Sequence, residues 1–194
     1  MIYLNVPFSE KDLVKNAGAK WDWKNKQWFI EDTDDVSLFN KWIFTKKTLT
    51  IELVPESAWF SNVRSNVSAD EWKVIQKYTF VRAGYRCEIC GGKGDSHPVE
   101  CHEIWNYDDI NLIQKLENTI SLCPKCHEVK HFGLANVRGH SERAKLWLMS
   151  VNEWEVGKTE DYIEKAFKEW LLRSEKEWKI DISWMVETFK IEKT

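Results

Sequence analysis

The segment from residue 87 to residue 131 contains two short cysteine pairs, Cys87-Glu88-Ile89-Cys90 and Cys123-Pro124-Lys125-Cys126. Each pair has two residues between its cysteines, a spacing at which both thiolates can bind one ion. Two such pairs, which we call zinc knuckles, provide the four ligands of a closed tetrahedral zinc site. The alternative is a redox-active dithiol. The connection between the pairs, residues 91–122, is longer than in a simple zinc ribbon, so we expect a functional site to be built inside it.

This connection contains two candidate strands, at Val99–Trp105 and Thr119–Leu122, and a helix is expected to begin at His127, directly after the second knuckle. On a helix, His127 and His131 would lie on one face, which suits joint binding of a metal ion. Alternatively, His131 is a surface or capping histidine. His102 lies among glutamates in the first strand. The neighbouring carboxylates favour the interpretation of His102 as a metal ligand over that of a histidine in the core.

The order of strand, loop, strand, knuckle and helix, together with the residue pattern, resembles the HNH nucleases, the ββα-metal group. The similarity extends from about Trp72 to Gly133. Its opening is Val81-Arg82-Ala83-Gly84-Tyr85-Arg86-Cys87-Glu88-Ile89-Cys90-Gly91, which resembles the usual start of the cysteine-bearing branch. Its close is Cys123-Pro124-Lys125-Cys126-His127, and Asn118 stands where the family has its middle asparagine.

The resemblance implies a role for each matching residue. A structural zinc ion would be held by the four knuckle cysteines, Cys87, Cys90, Cys123 and Cys126. His102 occupies the first position of the family's Asp-His or His-His pair and would bind a catalytic metal, with His127 as a second ligand and His131 as a third. Asn118 would fix the loop that positions the general base. The catalytic divalent ion would be Mg²⁺, Mn²⁺, Ni²⁺ or Zn²⁺.

The chain departs from the family pattern at Glu103, because the family's general base at this position is nearly always histidine. The base takes a proton from water while a divalent metal neutralises the phosphate and the leaving oxygen. A carboxylate with an ordinary pKa of about 4.3 is a weaker base than imidazole. Alternatively, Glu103 is a metal ligand or binds the attacking water. A regular strand places His102 and Glu103 on opposite faces, so both reach one metal only if the strand ends or bulges there.

Residues 2–30 are predicted to form a compact β-α-β-β unit with a hairpin around Lys24-Asn25-Lys26. This stretch resembles a small uncharacterised module of plasmid primases, conjugation proteins and nucleases. The shared segments are Leu4-Asn5-Val6-Pro7-Phe8, Glu10-Lys11-Asp12, Gly18-Ala19-Lys20-Trp21-Asp22 and Lys26-Gln27-Trp28-Phe29. The resemblance implies a function that involves nucleic acid. The alternative is that the tryptophans only form the core of a tiny domain, and we assign no binding residues here.

The predicted fold is α+β and has three parts: a Trp-rich accessory module at 1–32, a connector with one strand at 33–67, and an HNH-like zinc domain with flanking helices at 68–194. The connector strand is Thr48–Val54, in which apolar residues alternate. We expect it to pair with a closing C-terminal strand at 178–184. Helices are predicted from a capping box at Ser68 to about Ala83, from Ser141, and from about Glu160 to Lys176.

Composition narrows the class of protein. The formal net charge of −3 over 194 residues argues against a protein that coats DNA by charge alone, although not against a local basic groove. Basic residues lie along or beyond the helix that is predicted from residue 68, and their side chains face either phosphates or solvent. Free cysteines in metal-type pairs fit a reducing compartment. Neither a signal peptide nor a membrane-spanning stretch is apparent, so we expect a cytoplasmic protein with no membrane partner.

These observations favour a metal-dependent HNH-type endonuclease that cleaves phosphodiester bonds, with DNA as the expected nucleic-acid partner. The alternative is a catalytically degenerate HNH-like zinc module that binds nucleic acid or a protein partner. The glutamate at position 103 and the acidic charge balance favour this alternative. A third hypothesis is a phage or mobile-element protein that counters host defence or processes phage DNA. Sequence specificity and oligomeric state are left open.

Overall fold

The computed structural model describes residues 1–59, 63 and 66–191, and these form an α+β fold, as predicted. The strands are β1 (Ile2–Leu4), β2 (Lys20–Asp22), β3 (Gln27–Ile30), β4 (Glu100–Asp108), β5 (Ile113–Leu122) and β6 (Lys179–Asp181). The helices are α1 (Lys11–Asn16), α2 (Ala69–Arg82), α3 (Pro124–Lys130), α4 (Phe132–Val137), α5 (Ser141–Asn152), α6 (Val156–Ser174) and α7 (Ser183–Phe189). The predicted connector includes residues 60–62 and 64–65, which lie outside the described part of the chain.

The N-terminal strands form an antiparallel sheet in the order β1-β3-β2. The predicted hairpin is confirmed, with Trp21 opposite Trp28 across β2 and β3. A small hydrophobic core, built on α1 and this sheet, contains Leu4, Val14, Ala19, Ile30 and Phe39. It extends past residue 32, because Leu4 also forms an antiparallel bridge with Ile43.

The connection between the cysteine pairs folds into a long antiparallel hairpin, β4–β5. Both predicted strands are confirmed, and both continue further toward the hairpin tip than the sequence indicates. His102 lies opposite Ile120, and the register shifts after Ile104, which marks a bulge. The hairpin leads directly into α3, where Pro124 occupies the first turn, a position at which its missing N–H costs nothing. The element order strand, strand, knuckle, helix is therefore present.

Helix α2 begins at the predicted capping box. The Ser68 hydroxyl accepts a hydrogen bond from the Glu71 N–H, and the Glu71 carboxylate accepts one from the Ser68 N–H. These bonds satisfy two N–H groups that the start of a helix otherwise leaves unpaired. After the helix, Gly84 adopts a φ of +57°, which glycine reaches without the steric cost of a Cβ atom.

The predicted strand Thr48–Val54 does not form. Its apolar alternation is genuine, since Leu49 and Ile51 are buried, but its backbone bonds to side chains of helices. The Asn152 amide pairs with the N–H and the C=O of Leu49, both at 2.8 Å. The Ile51 N–H donates to the Tyr162 hydroxyl at 3.0 Å. Alternation predicts an extended, half-buried segment, but it does not specify whether the covering partner is a strand or a helix.

The C-terminal strand forms as β6, but its predicted pairing with residues 48–54 is wrong. It lies parallel to β5, with Ile180 opposite Gln114, and the chain then enters α7 instead of extending the strand to residue 184. Parallel neighbours need a long crossover, and helices α3 to α6 provide it. The sheet order is therefore β4-β5-β6.

The largest hydrophobic cluster surrounds the cysteine pairs. The helices predicted after the second pair are confirmed as α5 and α6, and α5 buries Ala144, Leu148 and Val151 against this cluster. The cysteines Cys87, Cys123 and Cys126 belong to the same cluster, so they lie in a packed interior. Among the described residues, no helix is both long and apolar enough to cross a membrane.

Candidate functional site

The four knuckle cysteines converge as predicted, with ligand atoms that all lie within 4.8 Å of one another. The sulfur atoms of Cys90 and Cys123 are 3.7 Å apart. The first pair lies in a tight turn, closed by a hydrogen bond of 2.9 Å from the Cys87 N–H to the Gly92 carbonyl. The second pair spans the start of α3, where the Trp147 indole N–H donates to the Cys126 sulfur at 3.3 Å.

The four sulfur atoms lie so close together that the pKa of each thiol depends on its neighbours. Hydrogen bonds from Cys123, Cys126 and Cys90 hold the pKa of the Cys87 thiol far below its ordinary value. The same crowding, with Cys123 as the largest cause, raises the pKa of the Cys126 thiol far above it. A cation resolves this conflict because zinc binds four thiolates at once. The donor set therefore fits a structural metal ion such as zinc.

Strands β4 and β5 with helix α3 form a ββα unit. A second cluster brings together His102 from β4 with His127 and His131 from the end of this unit, and their ligand atoms also lie within 4.8 Å of one another. The ring centroids are 5.2 Å apart for His102 and His127, 4.8 Å for His102 and His131, and 4.6 Å for His127 and His131. His131 does not lie inside a helix but at the junction of α3 and α4. Its N–H nevertheless bonds to the His127 carbonyl at 3.1 Å, so the spacing of one helical turn is kept.

Carboxylates orient two of these imidazoles. Glu100 accepts a short hydrogen bond from Nδ1 of His127, which leaves the lone pair on Nε2. Glu52 accepts a bond of 2.9 Å from Nε2 of His102, which leaves the lone pair on Nδ1. This carboxylate–histidine arrangement is the one that fixes the tautomer of metal-binding histidines. Three convergent imidazoles, two of them oriented by carboxylates, fit a divalent metal ion with positions left for other ligands.

Glu52 and Lys130 belong to this site although the sequence pattern did not single them out. The Lys130 ammonium group, whose residue is only 3% exposed, pairs with the Glu52 carboxylate and donates to the Thr50 hydroxyl at 2.7 Å. Burial raises the pKa of Glu52, but the hydrogen bond from His102 and the charge of Lys130 outweigh it, so the pKa lies below its ordinary value. One feature of the sequence could have indicated Glu52: it is the one acidic residue in the alternating segment Thr48–Val54, and it lies on the polar face of that segment.

Glu103 lines the same cleft as His102. Neighbouring residues of a regular strand point in opposite directions, and the pairing of β4 is regular from Glu100 to Ile104, because the extra residue of the bulge, Glu117, lies on β5. Strand β4 therefore does not bulge at His102 and Glu103, although both residues line the cleft. The Glu103 carboxylate accepts a hydrogen bond of 3.0 Å from the Trp105 indole. Glu103 thus lines the same cleft as the three imidazoles.

Asn118 lies within strand β5, not in a loop, and it does not line the cleft. Its side-chain oxygen accepts hydrogen bonds of 2.8 Å from the Arg82 guanidinium and from the Thr119 N–H. Asn118 lies opposite Ile104, beside the register shift. Its contacts therefore hold α2 to the hairpin at the bulge that follows Glu103.

The cleft has a volume of about 440 Å³ and lies between the ββα unit and helix α6. Helix α6 contributes Trp170 and Arg173 to the opposite wall. The Arg173 guanidinium lies 4.7 Å from the centre of the Tyr107 ring and pairs with Asp109 at 2.9 Å. The cleft therefore combines an imidazole cluster, the carboxylates of Glu52, Glu103 and Glu169, and the guanidinium group of Arg173.

Comparisons with known proteins concern the N-terminal part of the chain. Residues 1–43 match a family described as a domain of unknown function, DUF5710. Two proteins of Escherichia coli, both named DNA primase TraC, are similar to this chain. One is 42% identical over 55 residues, which are 28% of this chain and 5% of that relative. The other is 39% identical over 56 residues, which are 29% of this chain and 4% of that relative.

The matched family region ends at residue 43, so it does not reach the cysteine and histidine clusters. No solved structure matches the chain. The predicted likeness of the N-terminus to a module of primases is supported by these relatives, whereas no family match supports the predicted likeness to HNH nucleases.

Proposed function

We propose that this protein is a metal-dependent endonuclease of the HNH type that cleaves phosphodiester bonds in DNA. The observation that carries the proposal is the convergence of His102, His127 and His131 on one cleft that Glu103 also lines. The adjacent four-sulfur cluster joins both ends of the hairpin, as expected of a structural zinc site that clamps a small catalytic unit.

The imidazoles of His102, His127 and His131 would hold a divalent cation. Such an ion supplies positive charge to the phosphate and to the leaving oxygen. Glu100 and Glu52 would keep the lone pairs of His127 and His102 directed at the ion through the hydrogen bonds described above. Asn118 would act as a positioning residue through its contact with Arg82 beside the bulge.

Glu103 would take the proton from the attacking water, the role that imidazole has in most of the family. Its place with His102 in the lining of the cleft supports this assignment. A general base of this kind contributes about 10²- to 10⁴-fold to rate. Arg173 on the facing helix would contact a phosphate oxygen of the bound strand.

DNA is the proposed substrate because the N-terminal residues are similar to DNA primase TraC. This similarity covers a small fraction of both proteins, so it supports a DNA-related role rather than primase activity. The N-terminal module would be an accessory to the zinc domain, and the same relatives support a place among mobile-element proteins.

The second candidate function is a non-catalytic zinc module that binds nucleic acid. Glu103 favours it, because a carboxylate with an ordinary pKa of about 4.3 is a weak base at neutral pH. This candidate predicts salt-dependent binding without cleavage.

A plasmid-nicking assay tests the proposal. The purified protein is incubated with supercoiled plasmid and Mg²⁺, Mn²⁺, Ni²⁺ or Zn²⁺. We expect nicking with at least one ion, a loss of at least about 100-fold in His102→Ala, and a similar loss in Glu103→Gln. His140→Ala is the matched control, because this histidine lies outside the cluster, and it should nick normally.

The absence of nicking with all four ions, or nicking that persists in His102→Ala, contradicts the proposal. The variant Glu103→His separates the two candidates. If cleavage appears only in this variant, the natural protein is the non-catalytic module. If the natural protein cleaves and Glu103→Gln does not, Glu103 serves as the base.

A further inference from the structure

The N-terminal module and the end of helix α2 enclose a groove of about 1010 Å³, separate from the cleft of the histidines. The module is seated closely on this helix end. A Cβ atom at Gly84 would lie 3.0 Å from Asn5 Oδ1 and 3.2 Å from the Val6 carbonyl oxygen. The groove is therefore a feature of two packed elements with a defined relation, not a gap between loosely joined parts.

Exposed aromatic side chains line this groove. Trp23 is 83% exposed, Phe8 is 72% exposed and Tyr85 is 44% exposed. The ring of Trp21 supports Trp23 at a centroid distance of 6.2 Å and an angle of 84°. The alternative that the tryptophans only build a core does not hold for Trp23, because an indole this exposed contributes little to the core of the module.

The groove is also cationic. It is lined by the side chains of Lys11, Lys15, Lys26 and Arg86, with Asp12 as the one acidic residue. Within the described residues, none of the three lysines forms an ion pair with a carboxylate. Nearby Lys93 has a lowered pKa, first because it is partly buried and then because Arg86 and Lys26 are positive and close. Positive charge is thus concentrated here in a protein whose net charge is −3.

We propose that this groove binds single-stranded nucleic acid. Unpaired bases stack on aromatic rings, and a phosphate backbone follows lysine and arginine side chains, which is the combination of groups present here. A duplex keeps its base faces covered by neighbouring pairs, so it can use the cations but not the rings. This inference does not require nuclease activity, because the groove shares no residue with the histidine cleft.

Fluorescence anisotropy of the full-length protein with a labelled oligothymidylate of about 12 nucleotides tests the proposal. We expect tighter binding of this strand than of a duplex of the same length. The double variant Phe8→Ala with Trp23→Ala should bind at least about tenfold more weakly, because it removes two rings on which bases would stack. Trp59→Ala is the matched control, because Trp59 is 64% exposed but does not line the groove. It should leave affinity unchanged.

Charge variants give a second measurement. Lys26→Gln should weaken binding and reduce the slope of log K against log salt by about 0.7, the value for one phosphate contact with a single strand. Asp12→Asn should strengthen binding, because it removes the acidic group of the groove. Lys168→Gln on helix α6 is the control and should change neither quantity, since Lys168 pairs with Glu164 outside the groove.

Any one of the following results would overturn the proposal. They are unchanged affinity in the aromatic double variant, an equal loss in Trp59→Ala, and equal affinity for the duplex and the single strand. His102→Ala should bind the oligonucleotide as the natural protein does. A loss of binding in that variant would place the strand in the histidine cleft and would likewise refute the groove as its site.

Discussion

The Nε2 atoms of His127 and His131 lie 3.1 Å apart. Because Nδ1 of His127 donates a hydrogen bond to the Glu100 carboxylate, the Nε2 atom that faces His131 carries a lone pair. Two ring nitrogens at this distance are held together by a shared proton or by a cation that both bind. The hydrogen bond to Glu100 thus orients the His127 ring with its Nε2 atom toward His131.

Replacing Glu100 by glutamine should weaken the metal site without removing a ligand. The amide binds Nδ1 less strongly than the carboxylate does and allows the imidazole to turn. We expect a loss of about 10- to 100-fold in divalent-metal affinity, measured by calorimetric titration of metal-free protein. His97→Ala serves as the control for the second oxygen of Glu100, to which His97 bonds at 2.7 Å. Unaltered metal affinity in Glu100→Gln would show that Glu100 does not orient a ligand.

Removal of the structural metal should unfold the zinc domain. Structural zinc contributes about 10–16 kcal/mol in small zinc-binding peptides, which is as large as the whole stability of a typical domain. We therefore expect Cys126→Ser to lose zinc and the cooperative thermal transition, measured by metal analysis and circular dichroism. Cys101→Ala should retain the metal, because Cys101 lies outside the four-sulfur cluster. A zinc-free protein with an unchanged melting temperature would contradict this expectation.

Lys130→Met should destabilise the protein because it leaves the Glu52 carboxylate without its buried cation. Removal of one partner from a buried pair costs about 3–5 kcal/mol, and we expect the lower end because the Glu52 side chain is 29% exposed. Urea denaturation measures the change. Lys168→Met breaks an exposed pair and should cost less than about 1 kcal/mol. Equal costs for the two variants would mean that burial of Lys130 has no energetic consequence.

Gly84→Ala should disturb the seating of the N-terminal module. Alanine is disfavoured at a φ of +57°, by about 1–2 kcal/mol, and its Cβ atom would also press on Asn5. We expect faster proteolysis between the module and α2 and a lower thermal midpoint. Gly157→Ala is the matched control, since a Cβ atom there meets nothing within 4 Å, and it should be neutral or slightly stabilising.

Asp22 makes the stability of the N-terminal hairpin depend on pH. The hydrogen bond from the Tyr3 hydroxyl, followed by that from the Asn25 N–H, lowers the pKa of Asp22 to about 2. A depressed folded-state pKa contributes stability that is complete above the ordinary pKa near 3.8 and is lost as pH falls toward 2. Asp22→Asn should therefore lower the thermal midpoint at pH 7, and its difference from the natural protein should shrink below pH 4. A difference that is constant with pH would contradict this assignment.

Local sequence patterns were sufficient for much of the fold and of the candidate site. The capping box of Ser68 and Glu71 and the hairpin around residues 24–26 involve groups only a few residues apart. The two cysteine pairs and the spacing of His127 and His131 are of the same kind. Such features depend on backbone geometry that neighbouring residues control, so they could be predicted from the order of residues alone.

Other features required the folded chain. Glu52 reaches His102 across about fifty positions, β6 lies beside β5 and not beside residues 48–54, and the groove of Trp23 and Lys26 exists only where the module meets α2. Alternation shows that a segment has one apolar face, but several partners could cover that face. The choice depends on how all the helices and strands pack together, which is a property of the whole interior and not of any one segment.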